Sequence, residues 1–151
     1  MKKVFLIFLT IIVLSGCGYT PIYTQNKNIN FEILSLEVKG DKDINYSIER
    51  DLNQYIGKDN VRKFQIKINT KYSKSPILKD ATGKITKYKL NADLDLQFEI
   101  DKKIKNVYLN ETFNMENFND KFEERKYEKQ IKKNFSSLML NKITSYLVNF
   151  E

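Results

Sequence analysis

Three carboxylates on one predicted strand are the residues best spaced for acid–base chemistry. Asp93, Asp95 and Glu99 alternate with apolar residues, which would place all three on the same face of a strand. Such a face could bind calcium or supply an acid and a base, but no glycine-punctuated calcium loop surrounds it. Lysines alternate in the same way on a second predicted strand, at Lys63, Lys67 and Lys71. We therefore expect cross-strand charge pairs on a hydrated face.

The composition excludes several classes of enzyme. The chain contains no histidine, which removes His-based triads, the usual general base near neutral pH and the commonest metal ligand. One cysteine allows neither an internal disulfide nor a cysteine-based zinc cluster. Ser136 and Ser137 lack a neighbouring base. Glu123, Glu124 and Arg125 are expected on a solvated helix face. We predict no catalytic residue, no metal and no cofactor.

The only cysteine, Cys17, follows an apolar segment near the N-terminus. Lys2 and Lys3 precede the apolar run of residues 4–14, an order that is typical of a signal peptide. As a helix, this run would rise only about 16 Å, roughly half of the bilayer core. The stretch LSGC, residues 14–17, resembles the lipobox of bacterial lipoproteins. In that motif the signal is cut before the cysteine, and the thiol then carries a lipid.

These features predict three segments along the chain. Residues 1–16 form a lipoprotein signal peptide, residues 17–30 a lipidated tether, and residues 31–151 a single α+β domain. Cys17 is the predicted lipid attachment site and would anchor the protein to a membrane. Gly18 replaces the aspartate that retains many lipoproteins at the inner membrane, which favours the outer membrane with the domain facing the periplasm. We expect no nucleic-acid partner, since an exported protein rarely meets one.

The hydrophobic pattern of the domain predicts the element order β-α-β-β-β-α. The predicted strands are residues 31–39, 61–72, 85–101 and 107–115, and the predicted helices are residues 43–56 and about 119–150. In the first strand, Leu34, Leu36 and Val38 are expected on the apolar face, and Asp43 is expected to cap the first helix. Residues 73–83 are predicted to be a loop and residues 101–106 a turn. We expect a two-layer α+β sandwich, in which two helices pack on one face of a mainly antiparallel four-stranded sheet.

The last predicted helix carries an apolar stripe. Its members are Ile131, Phe135, Leu138, Met139, Ile143, Leu147 and Phe150.

Lysines are concentrated in the predicted loop of residues 73–83 and just after it. They are Lys74, Lys79, Lys84, Lys87 and Lys89. The chain has a formal net charge of +7, which is compatible with an anionic partner such as a phosphorylated lipid. An ordinary solvated hairpin loop is the alternative interpretation.

Three segments together resemble the LPS-assembly lipoprotein family, LptE, in its alphaproteobacterial branch. The first is LSGCGYTPIY at residues 14–23, where a glycine, an aromatic residue and a proline follow the lipobox. The second is ITKYKLNADLDLQF at residues 85–98, in which Lys87 stands where arginine is usual in the family. The third is the acid-rich entry and long amphipathic helix within residues 113–147.

The resemblance implies a protein without enzymatic activity. Members of the family are lipoproteins of the outer membrane that plug a β-barrel partner, LptD, and assist the transport of lipopolysaccharide to the cell surface. On this reading the five lysines are candidate contacts for lipopolysaccharide. The alternative is an auxiliary lipoprotein of an ABC-type lipid-transport system, which would pair with periplasmic lipid-shuttle subunits.

Overall fold

A computed structural model of the chain describes residues 31–150. The predicted signal peptide and tether, including Cys17, lie outside the described residues, as does Glu151. The order β-α-β-β-β-α is confirmed. The elements are β1 (Phe31–Gly40), α1 (Lys42–Asn53), β2 (Arg62–Lys79), β3 (Ile85–Ile100), β4 (Lys103–Glu116) and α2 (Lys121–Val148).

The four strands form one mixed sheet in the order β1-β2-β3-β4. β1 and β2 are parallel because α1 carries the chain back between them, whereas β2–β3 and β3–β4 are antiparallel. Both helices contribute their buried residues to the same core, on one face of the sheet. The expected two-layer α+β sandwich is therefore confirmed.

The core follows the alternation that the sequence shows in β3. Every second side chain from Leu90 to Phe98 is buried. The rings of Phe64, Phe98 and Phe150 meet edge to face, with centroid separations between 5.4 and 5.9 Å. These three rings connect β2, β3 and the residues that follow α2. They close one end of the core.

Leu138 does not belong to the buried stripe of α2, contrary to the prediction. The buried apolar positions recur every four residues, at Ile131, Phe135, Met139, Ile143 and Leu147. Each step of four residues turns the contact line by about 40° around the helix. The contact line has therefore turned away from Leu138, which is exposed.

The predicted alternation in β1 is also wrong at one residue. The pairing between β1 and β2 shifts between Ile33 and Ser35, where β1 has an irregularity. Phe31 and Ile33 are buried, whereas Leu34 is exposed. A shift of one residue exchanges the two faces of a strand. The predicted alternation therefore holds only for the residues that follow the irregularity.

Asp41, and not Asp43, caps α1. The Asp41 carboxylate accepts hydrogen bonds from the backbone N–H groups of Asp43 (3.0 Å) and Ile44 (3.1 Å). The preceding Gly40 has φ +111°, and a Cβ there would lie 1.9 Å from the Thr70 carbonyl oxygen. Glycine is thus required for the tight passage from β1 into α1. The helix ends at Asn53, before the predicted end at residue 56.

The predicted loop of residues 73–83 is mostly strand. β2 continues to Lys79 and stays paired with β3, with Pro76 opposite Tyr88. β1 ends opposite Thr70, so the rest of β2 has no described neighbour on that side. Pro76 is tolerated because an edge position needs no backbone N–H from it.

Two short turns replace the longer predicted connections. Asp80 organises the β2–β3 turn, where its carboxylate accepts from the backbone N–H groups of Thr82 (2.9 Å) and Lys84 (3.0 Å). Asp101 and Lys102, with φ of 49° and 64°, form the whole of the β3–β4 connection. Two such residues fit a tight hairpin turn, which explains why β4 begins at Lys103 and not at residue 107.

Candidate functional site

The extended part of the β2–β3 hairpin is the candidate site. We call residues 76–88 the hairpin tip. Its turn carries Lys79 and Lys84, both exposed, next to the partly exposed Ile77 and Leu78. The tip therefore presents cationic and apolar groups side by side, which is the combination that an amphiphilic anion requires.

Lys74 is separated from the other four lysines. Its ammonium donates to Glu124 Oε1 (2.7 Å) and Glu128 Oε2 (2.8 Å) on α2 and lies 4.5 Å from the centroid of the Tyr88 ring. Burial alone would lower the pKa of Lys74, but the hydrogen bonds to Glu124 and Glu128 outweigh it and raise the pKa. Lys74 is thus a charged internal link between the hairpin and α2.

The remaining lysines lie around the tip, but not all are free of partners. Lys87 pairs with Glu116 at 2.9 Å, in an exposed contact, and Lys84 lies 3.3 Å from the amide oxygen of Asn119. Within residues 31–150, Lys79 and Lys89 have no described ion-pair partner. The structure therefore brings Lys79 and Lys84 together at the turn. Lys87 and Lys89 lie on the face of β3 away from the helices.

Glu124 is buried, contrary to the expectation of a solvated face. Its carboxylate accepts from Lys121 (2.7 Å) and Lys74 (2.7 Å) and from the Phe118 backbone N–H (3.3 Å). Burial alone would raise the pKa of Glu124, but these hydrogen bonds lower it to about 2. Glu124 therefore stays ionised throughout the physiological range of pH.

The links between sheet and helix continue along α2. The Tyr72 hydroxyl donates to Glu128 at 2.7 Å, and burial, followed by this hydrogen bond, raises the pKa of Tyr72. Lys132 lies 4.1 Å from the Tyr72 ring centroid and donates to the Asp41 carboxylate at 2.8 Å. Glu124, Glu128 and Lys132 share one face of α2 at intervals of four residues, the one sequence signal for this network.

The carboxylates of β3 form hydrogen bonds more than ion pairs. Asp93 accepts from the Tyr108 hydroxyl and from the amides of Asn110 (2.7 Å) and Asn91 (2.8 Å). The hydrogen bond from Tyr108, followed by those from the amides, lowers the pKa of Asp93. Lys71 lies opposite Asp93 in the register and its charge lowers the pKa of Asp93 further, but the two side chains form no described ion pair.

Within residues 31–150, the expected ion pairs between β2 and β3 are not described. Lys67 lies opposite Gln97, and Lys63 pairs with Glu32 on β1. In the part of the chain that the structure describes, no group of three or more acidic, histidine or cysteine side chains could hold a metal ion. Over the same residues, no helix is both long enough and apolar enough to cross a membrane.

Comparison with known proteins identifies a shared fold. No family model and no curated protein matches the sequence. The chain is similar to the crystal structure of rare lipoprotein B from Shewanella oneidensis, at 12% identity and a TM-score of 0.57, over 76% of this chain and 97% of that chain. The chain has the fold of that lipoprotein.

Two further solved lipoproteins are similar at lower TM-scores. Lipoprotein B from Nitrosomonas europaea has a TM-score of 0.48 and 11% identity, over 80% of this chain and 89% of that chain. A minor lipoprotein from Acinetobacter baumannii has a TM-score of 0.47 and 15% identity, over 74% of this chain and 93% of that chain.

Proposed function

We propose that this protein is a lipid-anchored outer-membrane lipoprotein that plugs a β-barrel partner, LptD, and assists lipopolysaccharide assembly at the cell surface. The observation that carries the proposal is the fold shared with rare lipoprotein B over 97% of that chain. The lipobox-like stretch at residues 14–17, with Cys17 as the attachment site, supports the lipid anchor. Neither observation depends on the other.

The surface of the domain suits a water-filled lumen. The face of the sheet away from the helices carries polar side chains, including Asp93, Asn91, Asn110 and Tyr108, which hydrogen-bond to one another. Because the lumen of a transmembrane barrel is polar, such a face can remain hydrated there.

The hairpin tip is the proposed contact for lipopolysaccharide. Lys79 and Lys84 could bind its phosphate groups, while Ile77 and Leu78 contact its acyl chains. Lys87 and Lys89 could extend the contact along β3. Lys74 does not take part in this proposal, because Glu124 and Glu128 already hold its ammonium group.

The test is an affinity purification of the acylated full chain from outer membranes, with the co-purifying proteins identified. We expect a β-barrel protein in stoichiometric amount. The variant Cys17→Ser should lose lipid and outer-membrane fractionation, while the fold of residues 31–150 is unchanged. Recovery of periplasmic lipid-shuttle subunits would instead support the ABC-type alternative, and a chain that never associates with a barrel would refute the proposal.

A further inference from the structure

A basic groove lies between the two helices on the solvent side of the helix layer. We call it the helix groove, and its lining includes Lys42, Tyr46, Arg50, Lys126, Lys129 and Lys133. The only carboxylate among the residues that line it is Asp43. The helix groove lies outside the hairpin tip and takes no part in the contacts proposed there.

The positive charge of the helix groove is weakly compensated. Asp43 lies 3.3 Å from the ammonium of Lys132, a lysine that does not line the groove. Arg50 is 2.7 Å from Asp51 and Lys126 is 3.7 Å from Glu123, and pairs between solvent-accessible side chains contribute little. For Lys129 and Lys133 the described part of the chain supplies no carboxylate within ion-pair distance. The groove therefore has a net positive charge that an anionic partner would neutralise.

Two exposed aromatic rings accompany these cations. Tyr46 is 69% exposed on α1, and Phe122 is 63% exposed near the start of α2. Phe122, Lys126, Lys129 and Lys133 fall within about 60° around the helix axis, so they form one stripe. The buried Glu124 and Ile131 lie on the opposite side of the same helix turns. The stripe thus combines an exposed aromatic ring with a row of lysines.

We infer that the helix groove and this stripe bind the surface of a bilayer that contains anionic phospholipid. Lysines attract anionic headgroups, tyrosine rings prefer the level of the headgroups, and phenylalanine rings insert at the boundary between headgroups and acyl chains. An acidic protein segment without apolar side chains would neutralise the lysines but leave the Phe122 ring in water. Lysine is also a point charge on a flexible stem, which suits a fluid array of headgroups better than one fixed phosphate.

The lipid anchor proposed at Cys17 would make this contact geometrically accessible. The fourteen residues of the predicted tether, 17–30, could extend about 48 Å at most. If Cys17 carries a lipid, the domain is held within that distance of a membrane. The inference does not rest on the barrel partnership, and the two can fail separately.

The test uses the absence of tryptophan from the chain. Phe122→Trp places a single tryptophan on the stripe, and Ile104→Trp places one at a site of similar exposure, 60% against 63%, on the other face of the sheet. The full chain carrying either change is reconstituted into vesicles of phosphatidylcholine, with or without phosphatidylglycerol. Far-UV circular dichroism verifies that both variants are folded.

We expect a blue shift of the Phe122→Trp emission, and quenching by brominated lipid, only in vesicles that contain phosphatidylglycerol. The Ile104→Trp emission should not change. Adding Lys129→Gln and Lys133→Gln should lower the ratio of docked to undocked protein about 30-fold, at about fivefold per lysine. Adding Lys102→Gln and Lys103→Gln at the β3–β4 turn, which removes the same charge, should leave the ratio unchanged.

Four outcomes would overturn the inference. They are no shift with phosphatidylglycerol, an equal shift in pure phosphatidylcholine, an equal shift of Ile104→Trp, and an equal effect of the two lysine pairs. Two further outcomes would assign the groove to another occupant. Binding of polyglutamate without any response to phosphatidylglycerol would indicate an acidic protein segment, and a response to lipopolysaccharide but not to phosphatidylglycerol would indicate a glycolipid site.

Discussion

The substitution Glu124→Gln tests whether the network between the hairpin and α2 stabilises the fold. Glu124 is 8% exposed in its side chain and accepts from both Lys74 and Lys121. The interval between its ordinary pKa of 4.5 and about 2 corresponds to roughly 3 kcal/mol. Since Lys121 is exposed and screened by solvent, we expect about 2 kcal/mol at pH 7.

The lowered pKa of Glu124 fixes how the stability difference changes with pH. A carboxylate whose pKa is lower in the folded state stabilises the fold above its unfolded pKa, here 4.5, and loses that contribution as the pH falls towards about 2. Glutamine cannot titrate and resembles the protonated acid. The free energies of unfolding of the two proteins should therefore differ by about 2 kcal/mol at pH 7 and converge between pH 4.5 and pH 2.

Urea unfolding at a series of pH values, followed by circular dichroism, measures this difference. Glu123→Gln is the matched control, because Glu123 belongs to the same helix turn but forms only an exposed pair at 3.7 Å. Its effect should stay within about 0.5 kcal/mol at every pH. Parallel stability curves for Glu124→Gln and the wild type would refute the assigned role of the Glu124 carboxylate.

Three further predictions concern the α1 entry and the hairpin tip. Gly40→Ala should destabilise the fold by more than about 2 kcal/mol in urea unfolding, because its Cβ would overlap the Thr70 carbonyl oxygen. Thr70→Val should cost about 1–3 kcal/mol in the same assay, because the buried Thr70 hydroxyl donates to Asn45 Oδ1 at 2.7 Å. Lys79→Gln with Lys84→Gln should weaken lipopolysaccharide binding several-fold in a titration. The midpoint of urea unfolding should not fall, since both side chains are exposed. Unchanged binding would exclude the tip as the contact.

The elements with regular alternation were predictable, and the departures arise from how the strands pair. β3 alternates without interruption from Leu90 to Phe98, and its burial follows that pattern. Pro76 suggested a loop, but whether a proline interrupts a strand depends on which side of the sheet is paired. The exposure of Leu34 depends on an irregularity in β1 that the hydrophobic pattern does not mark. Tertiary pairing, which a local pattern does not contain, decided both cases.

The candidate site was predicted only in part, for a related reason. The five lysines are close in sequence, but the direction of each depends on its strand parity. Lys74 faces α2, whereas Lys87 and Lys89 face the other side of the sheet. The partners of Lys74, Glu124 and Glu128, are 50 and 54 residues away, so no spacing within the hairpin indicates that Lys74 is paired. The sequence therefore identifies a basic hairpin but not which of its charges are already neutralised.

Two opposite faces of α2 belong to two different surfaces of the domain. The inward face holds the hairpin through Glu124 and Glu128, while the outward face carries Phe122, Lys129 and Lys133. Glu124→Gln should loosen the hairpin without removing a charge from the helix groove. Lys129→Gln with Lys133→Gln should remove charge from the helix groove and leave the hairpin in place, because neither lysine contacts the buried network. A defect in lipopolysaccharide binding and a defect in membrane docking can therefore be assigned to separate faces of one helix.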